Sequence, residues 1–474
     1  MPHSQRNYDA VVIGSGPNGL AAAITLAQAG KSVAVYEAEP GIGGGARSAE
    51  LTLPGFVHDV CSAVHPMGLS SPFFRKLPLG QFGLRWIQPD APLAHPFDDG
   101  TAVVLARSLE ESAPQFGEDA SAVQSLIGSL VKSSDSLIES VLAPPRFPRH
   151  PLPMARFGLN AFWPATKLAR SKFKSVRARA VFAGMAAHSM LPLENILSSA
   201  FGLLMWTTCH SVGWPFAAGG SQSLSNALAE LLRSFGGDIF TSRRVSSLAE
   251  VPPARATLCD ITPQQFLQIA GGSISDRERR GCENYRYGPG VFKVDWALDG
   301  PVPWNAPECA RAGTVHIGGT LDEIAESERA PSLGRIAERP FVLFTQPSLF
   351  DSARAPAGKH TAWAYCHVPN GSGIDMLERI EKQVERFASG FTKRILARSV
   401  MTPAEMQIHN ANLIGGDIGG GSVEIRQFFF RPSIKLYSTS LPRVFLCSSS
   451  APPGPGVHGM CGYFAAQRAL RKCF

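Results

Sequence analysis

Residues 8–37 constrain this chain more than any other stretch. Tyr8–Ile13 (YDAVVI) is a short apolar run that predicts a buried strand, and it passes directly into Gly14-Ser15-Gly16-Pro17-Asn18-Gly19. The next segment, LAAAITLAQAG, has helical apolar spacing and stops at Gly30, and Ser32–Glu37 (SVAVYE) predicts a second strand ending in an acid. Strand, glycine turn, helix and acidic strand end in this order predict a dinucleotide site. Gly14 permits the tight turn, Gly16 removes the Cβ that would keep a pyrophosphate away, and Gly19 lets the helix pack closely on the strand. The phosphates then lie at the helix N-terminus, where free N–H groups and the helix dipole favour negative charge. Glu37, eighteen positions after Gly19, accepts from a ribose diol and rejects a 2′-phosphate.

A chain of 474 residues exceeds the length of one ordinary domain, so two lobes are expected around that site. Its nine cysteines are scattered and form no C-x-x-C pair, which predicts neither a zinc site nor a redox disulfide. No window carries the eighteen or so apolar residues needed to cross a bilayer, and the start MPHSQRNYDA lacks the pattern of an export signal. A reducing, cytoplasmic setting is the expectation.

Immediately after the second strand lies Gly41-Ile42-Gly43-Gly44-Gly45-Ala46-Arg47, too glycine-rich for an ordinary helix. In this position the chain resembles the large FAD family that includes phytoene desaturases and monoamine oxidases. The same family includes a phytoene-desaturase-like branch named for pyridine nucleotide-disulfide oxidoreductase domain-containing protein 2. The family's mark is a Gly-Gly pair followed by Arg. Here Ala46 stands between Gly45 and Arg47, a departure that bears on the role of Arg47 at the pyrophosphate or flavin. The resemblance extends to Trp214-Pro215-Phe216-Ala217-Ala218-Gly219-Gly220 with its following helix and the strand DIFTSRRVSSL. It implies that backbone around Arg244 and Val245 meets the adenine. His316–Thr320 and residues 351–369 also look like this branch.

Downstream, Ala256–Asp260 predicts a buried strand, and Thr262-Pro263-Gln264-Gln265 predicts a helix start with capping serine-like hydroxyl, N1 proline and N3 glutamine. In residues 290–300, Phe292, Val294, Trp296 and Leu298 alternate as in a half-buried strand on the floor of a substrate lobe. Near the end, Val444–Ser449 predicts a strand, and Gly454-Pro455-Gly456-Val457-His458-Gly459 repeats the glycine spacing before another helix. Only 15 residues follow Gly459, too few for a second nucleotide domain. Gly456 and Val457 are therefore expected to bring a helix N-terminus to the flavin edge where negative charge develops on reduction. His458, and His58 and His65 in FVHDVCSAVHP, are the candidate catalytic residues; Cys461 is a weaker candidate for covalent attachment of flavin. No metal site is predicted.

The expected fold is α/β: a doubly wound, Rossmann-like FAD-binding domain of the glutathione-reductase type, built from 1–75, 210–275 and 405–474. A mixed α+β substrate domain from 76–209 and 276–404 interrupts it. The resemblance implies an FAD-dependent oxidoreductase removing hydride from a C–H bond of a hydrophobic small molecule, with oxygen or a quinone as acceptor. A flavin amine oxidase and a regulatory flavoprotein with little turnover remain alternatives. Between Glu139 and Glu194 no acid occurs, while Arg146, Arg149, Arg156, Lys167, Arg170, Lys172, Lys174, Arg177 and Arg179 do, interleaved with aromatics. Residues 146–180 therefore form either a solvated face or a peripheral membrane contact. No nucleic-acid module accompanies the charge.

Overall fold

A computed structural model describes residues 7–432 and 435–474; residues 1–6, on which the reading of the N-terminal start rests, lie outside it. The strands that frame the molecule are β1 (Ala10–Ile13), β2 (Val33–Tyr36), β3 (Ala91–Pro96), β4 (Ala102–Leu105), β5 (Asp238–Phe240) and β6 (Ala256–Cys259). They continue with β7 (Gly290–Leu298), β8 (Ala312–Ile317), β9 (Val342–Thr345), β10 (His360–Val368), β11 (Ile395–Met401) and β12 (Val444–Leu446). Six helices matter below: α1 (Pro17–Gln28), α2 (Pro151–Ala161), α3 (Ala165–Lys172), α4 (Val176–Ala187), α5 (Ser198–Ser211) and α6 (Met460–Cys473).

One sheet is parallel throughout, in the order β12-β6-β1-β2-β5. Its central strand, AVVI, is buried along its whole length, as a strand covered by helices on both faces must be. The chain makes two long excursions before completing it, so residues 10–36, 238–259 and 444–446 form one layer. The second sheet is mixed, in the order β11-β7-β10-β9-β8-β3-β4, and draws on residues 91–105 and 290–401. The fold is thus α/β, with a Rossmann-like parallel layer and a mixed-sheet lobe.

Two local expectations change. All nine residues of β7 are buried, whereas alternation predicts a half-buried strand. The face opposite Phe292, Val294, Trp296 and Leu298 carries Lys293 and Asp295, which are buried and paired with each other rather than solvated. The helix at Pro263–Ala270 does begin after Thr262, but no side-chain cap bond forms. Asn412 takes the capping partners instead: its Oδ1 accepts from the Thr262 N–H at 3.1 Å and from Gln265 Nε2 at 2.7 Å.

Among the described residues no helix is long and apolar enough to cross a membrane.

Candidate functional site

The first glycine turn builds its cradle from backbone. Gly14, with φ +97°, donates its N–H to the Tyr36 carbonyl, and α1 starts at Gly16 with Pro17 in its first turn. Glu37 stands at the end of β2 with its side chain turned back: Oε2 accepts from the Ser15 N–H at 2.9 Å and the Ser15 hydroxyl at 2.5 Å, and Oε1 accepts from the Glu39 N–H at 2.9 Å. A carboxylate has about four acceptor sites, so one remains for a ribose hydroxyl. Beside it, the Arg243 N–H bonds to the Glu37 carbonyl, which brings Arg243, Arg244 and Val245 to the same wall.

Asp260, directly after β6, is a group at this cradle that the sequence reading passed over. Its Oδ2 accepts the Gly19 N–H at 2.9 Å, occupying part of the helix N-terminus from the neighbouring strand. Burial pushes its carboxyl up to about 7, aided by the charge of Glu37 and opposed by the Gly19 hydrogen bond. Gly16 answers to Asp260 as much as to a ligand, since a Cβ there would lie 2.7 Å from Asp260 Oδ2. Gly19 is needed for packing: a Cβ would fall 2.1 Å from the Gly14 carbonyl oxygen.

The second glycine loop lies over the first. A Cβ on Gly44 would stand 3.1 Å from Gly16 Cα, so the loop is pressed against the turn. Arg47 is fixed by two carbonyls, with Nε donating to Gly44 at 2.9 Å and Nη2 to His409 at 2.7 Å. The C-terminal motif carries α6 against α1, where a Cβ on Gly462 would lie 1.8 Å from the Asn18 carbonyl oxygen. Gly456 and Val457 thereby reach the same cavity. Next to them Asp417, buried, accepts the N–H groups of Gly288, Gly419 and Gly421 and so holds the loop Ile418–Gly421 at the cavity wall.

Gly14, Gly16, Glu37, Gly44, Gly45, Arg47, His65, Val245, Gly456 and Val457 all line one cavity of about 430 Å³. The size is within the range of pockets that enclose a small ligand. Its dinucleotide end fits FAD on three observations: backbone pressed close at Gly16 and Gly44, an acceptor left on Glu37, and the buried Asn18 Oδ1 without a partner among the described residues. Its other end is formed by Met205, Trp214, Leu343, Trp363 and Tyr365, and is largely apolar.

The candidate histidines separate. His65 lines the cavity, and its Nε2 lies 2.8 Å from Ser221 Oγ, whose own proton goes to the Ser62 carbonyl. Nε2 must therefore donate, and Nδ1 is left as an acceptor with no partner among the described residues. Burial pushes the His65 pKa down to about 4, with Asp59 opposing and Arg354 adding to the shift, so the ring is neutral at pH 7. His58 does not line the cavity. It sits behind it, between Thr52 at 2.8 Å and Asp295 at 3.4 Å, and burial takes it down to about 3. His458 is turned into the core, where Nδ1 accepts the Met460 N–H at 3.0 Å and fixes the start of α6. Cys461 is also turned away: its thiol bonds to the carbonyls of Ala451 and Gly454, and burial pushes it up to about 12.

Behind the apolar end lies a buried charged group. Lys293 pairs with Asp295, and its Nζ stands 5.3 Å from the Trp363 ring centroid. Asp59 meets Arg354 at 3.0 Å, and Arg354 reaches Asp351 at 3.1 Å. A lysine inside an apolar alternation was the sequence signal for the first pair. The acid ending the strand ATLCD was the signal for Asp260, because ligands gather at the carboxyl ends of parallel strands.

Comparison with known proteins agrees with this geometry. Residues 12–77 match the family model of the NAD(P)-binding Rossmann-like domain. Along nearly its whole length the chain is homologous to pyridine nucleotide-disulfide oxidoreductase domain-containing protein 2 of Mus musculus. The two are 25% identical over 552 aligned residues, covering 98% of this chain and 93% of that protein. Among solved structures, an oxidoreductase from Methanosarcina mazei superposes with TM-score 0.68 at 15% identity, covering 98% of this chain and 100% of the other. Wild-type putrescine oxidase bound to putrescine gives TM-score 0.64 at 17% identity, covering 98% and 99%. The fold is shared with these oxidoreductases.

Proposed function

We propose that this FAD-dependent oxidoreductase removes hydride from a C–H bond of a hydrophobic organic substrate. The observation that carries the reading is the single cavity joining the dinucleotide cradle to an apolar chamber floored by the mixed sheet. Bound flavin supplies the redox chemistry as hydride acceptor. Gly14, Gly16, Gly44 and Glu37 hold the dinucleotide; Gly456, Val457 and the loop fixed by Asp417 face the flavin end. The chain's part is to orient the substrate and exclude water, which the apolar walls favour. His65 carries a neutral nitrogen acceptor in the cavity wall and would position a substrate hydroxyl. Oxygen or a quinone takes the electrons afterwards.

A second reading, amine oxidation, is favoured by one observation: Trp363 and Tyr365 stack at 5.6 Å and 19° and both line the chamber. Anaerobic titration of the yellow protein with polyenes, saturated lipids, ketones and amines separates the two. Bleaching by a non-amine supports the first reading, and bleaching by amines alone supports the second. Bleaching by none leaves a regulatory flavoprotein.

The substrate reaches the chain from an anionic lipid surface. In support, α2 exposes Leu152 (71%) and Leu159 (74%) at helical spacing, and Phe147 (86%), Phe162 and Trp163 continue the patch. Arg149 pairs with Glu139 and Arg170 with Asp322, while Arg146, Arg156, Lys167 and Lys172 have no carboxylate partner among the described residues. Cations around exposed apolar groups suit lipid headgroups. Behind the patch, the Ser199 N–H bonds to the Trp163 carbonyl at 3.4 Å, and α5 presents Phe201 and Met205 to the cavity.

A further inference from the structure

Four strands of the mixed sheet place Asp295, Trp363, Thr345 and Thr314 in one row, and with Asp295 on β7 paired to Lys293 three hydrogen-bonding side chains of the row are left to consider. Thr314 on β8 is the register partner of Thr345 on β9, and Thr345 is the register partner of Trp363 on β10. Residues directly opposite in antiparallel strands project from the same face, so the row is set by pairing rather than by rotamer choice. All three line the apolar end of the cavity, at 3%, 3% and 4% exposure. Thr314 Oγ1, Thr345 Oγ1 and Trp363 Nε1 have no hydrogen-bond partner among the described residues. Buried hydroxyl and indole N–H groups are ordinarily satisfied, and three unsatisfied neighbours in one row of a cavity wall call for a ligand group that satisfies them.

From this row we infer that the chamber takes an apolar molecule through one neutral oxygen, a carbonyl or a hydroxyl, seated on Thr314, Thr345 and Trp363. The inference deepens the proposed function and rests on its reading of this cavity as the substrate chamber. The indole N–H only donates, so the ligand atom must accept; the two hydroxyls either donate or accept and so complete its shell. A pure hydrocarbon leaves the row unpaired. An ammonium group cannot accept from Trp363; the acids that line the cavity, Glu37, Glu39, Asp260 and Asp417, belong to the dinucleotide end and its flanking loop, and Asp295, opposite Trp363, does not line it and is neutralised by Lys293. Lys293, although close behind Trp363, is already paired with Asp295, so no free cation invites a carboxylate. The row thus discriminates by hydrogen-bond satisfaction, the mechanism by which a site built for an oxygen rejects an analogue that lacks it.

The test is calorimetric binding of octan-2-one, octane and octylammonium to the full-length protein, with Thr314→Val/Thr345→Val and Trp363→Phe as variants. Each variant keeps the apolar surface and removes the polar atom. The expected result is that the ratio of octanone to octane affinity falls at least fivefold in each variant, while octane binds as well as before or better. Octylammonium binds wild type more weakly than octanone. An unchanged ratio overturns the inference, because the row is then simply hydrated, and so does tighter binding of octylammonium than of octanone. Flavin content is measured on the same samples. Protein that binds octanone through the row but retains no FAD overturns the proposed function and leaves this assignment standing.

Discussion

Asp260 gives the sharpest handle on the cofactor cradle. Its carboxyl is buried at the N-terminus of α1, and its pKa rises from 3.8 to about 7. Such a rise favours the protonated folded state by about 4 kcal/mol relative to the ionised one, at about 1.4 kcal/mol for each tenfold change. Because the folded pKa is raised for an acid, the folded chain holds the proton longer than the unfolded chain. Stability is therefore unaffected by this group below pH 3.8 and falls as pH rises toward about 7. Between pH 5 and pH 8 the loss from this one group amounts to roughly 3 kcal/mol. Asp260→Asn removes the titration and keeps an oxygen to accept the Gly19 N–H. Urea unfolding of the flavin-free protein, followed by tryptophan fluorescence from pH 5 to 8, should show wild type losing stability relative to the variant. Buried histidines such as His65, depressed to about 4, make the folded state gain stability as pH rises through their range, but they do so in both proteins and cancel. Parallel pH profiles for the two proteins would refute the reasoning, as would wild type gaining on the variant at high pH. FAD should follow the same sign, held more weakly by wild type at pH 8 than at pH 6, since an ionised Asp260 competes for the helix terminus that binds phosphate.

Gly19→Ala should lose FAD retention and stability together, because its Cβ would lie 2.1 Å from a backbone oxygen that has nowhere to move; absorbance at the flavin band on purified protein checks it. Adding NADPH anaerobically should leave the flavin oxidised over minutes, since the terminal glycine motif is spent on packing α6 against α1; rapid stoichiometric bleaching would contradict this. Changing Arg146, Arg156, Lys167 and Lys172 together to Gln should cost about 1 kcal/mol for each charge near an anionic vesicle and abolish most co-sedimentation at low salt. FAD content should stay unchanged, and equal sedimentation of variant and wild type would remove the membrane route.

Much of the cradle was legible in the linear chain because it is local. Strand, turn, helix and acid lie within residues 8–37, and the positive φ demanded of Gly14 is a property of the local turn. The terminal motif was legible as a glycine turn before a helix, again because turn and helix are adjacent in the chain. What the sequence could not reveal depended on which strands pair. Asp260 meets Gly19 across 241 positions because β6 lies beside β1, and His458 faces the core rather than the cavity because α6 docks on α1. The row of Thr314, Thr345 and Trp363 leaves no trace in spacing or composition. Two threonines and a tryptophan become one site only through cross-strand register, and a shift of a single residue would turn each to the other face of the sheet. Local conformation is encoded by adjacent residues, whereas the chemistry of the substrate chamber is encoded by pairing between distant ones.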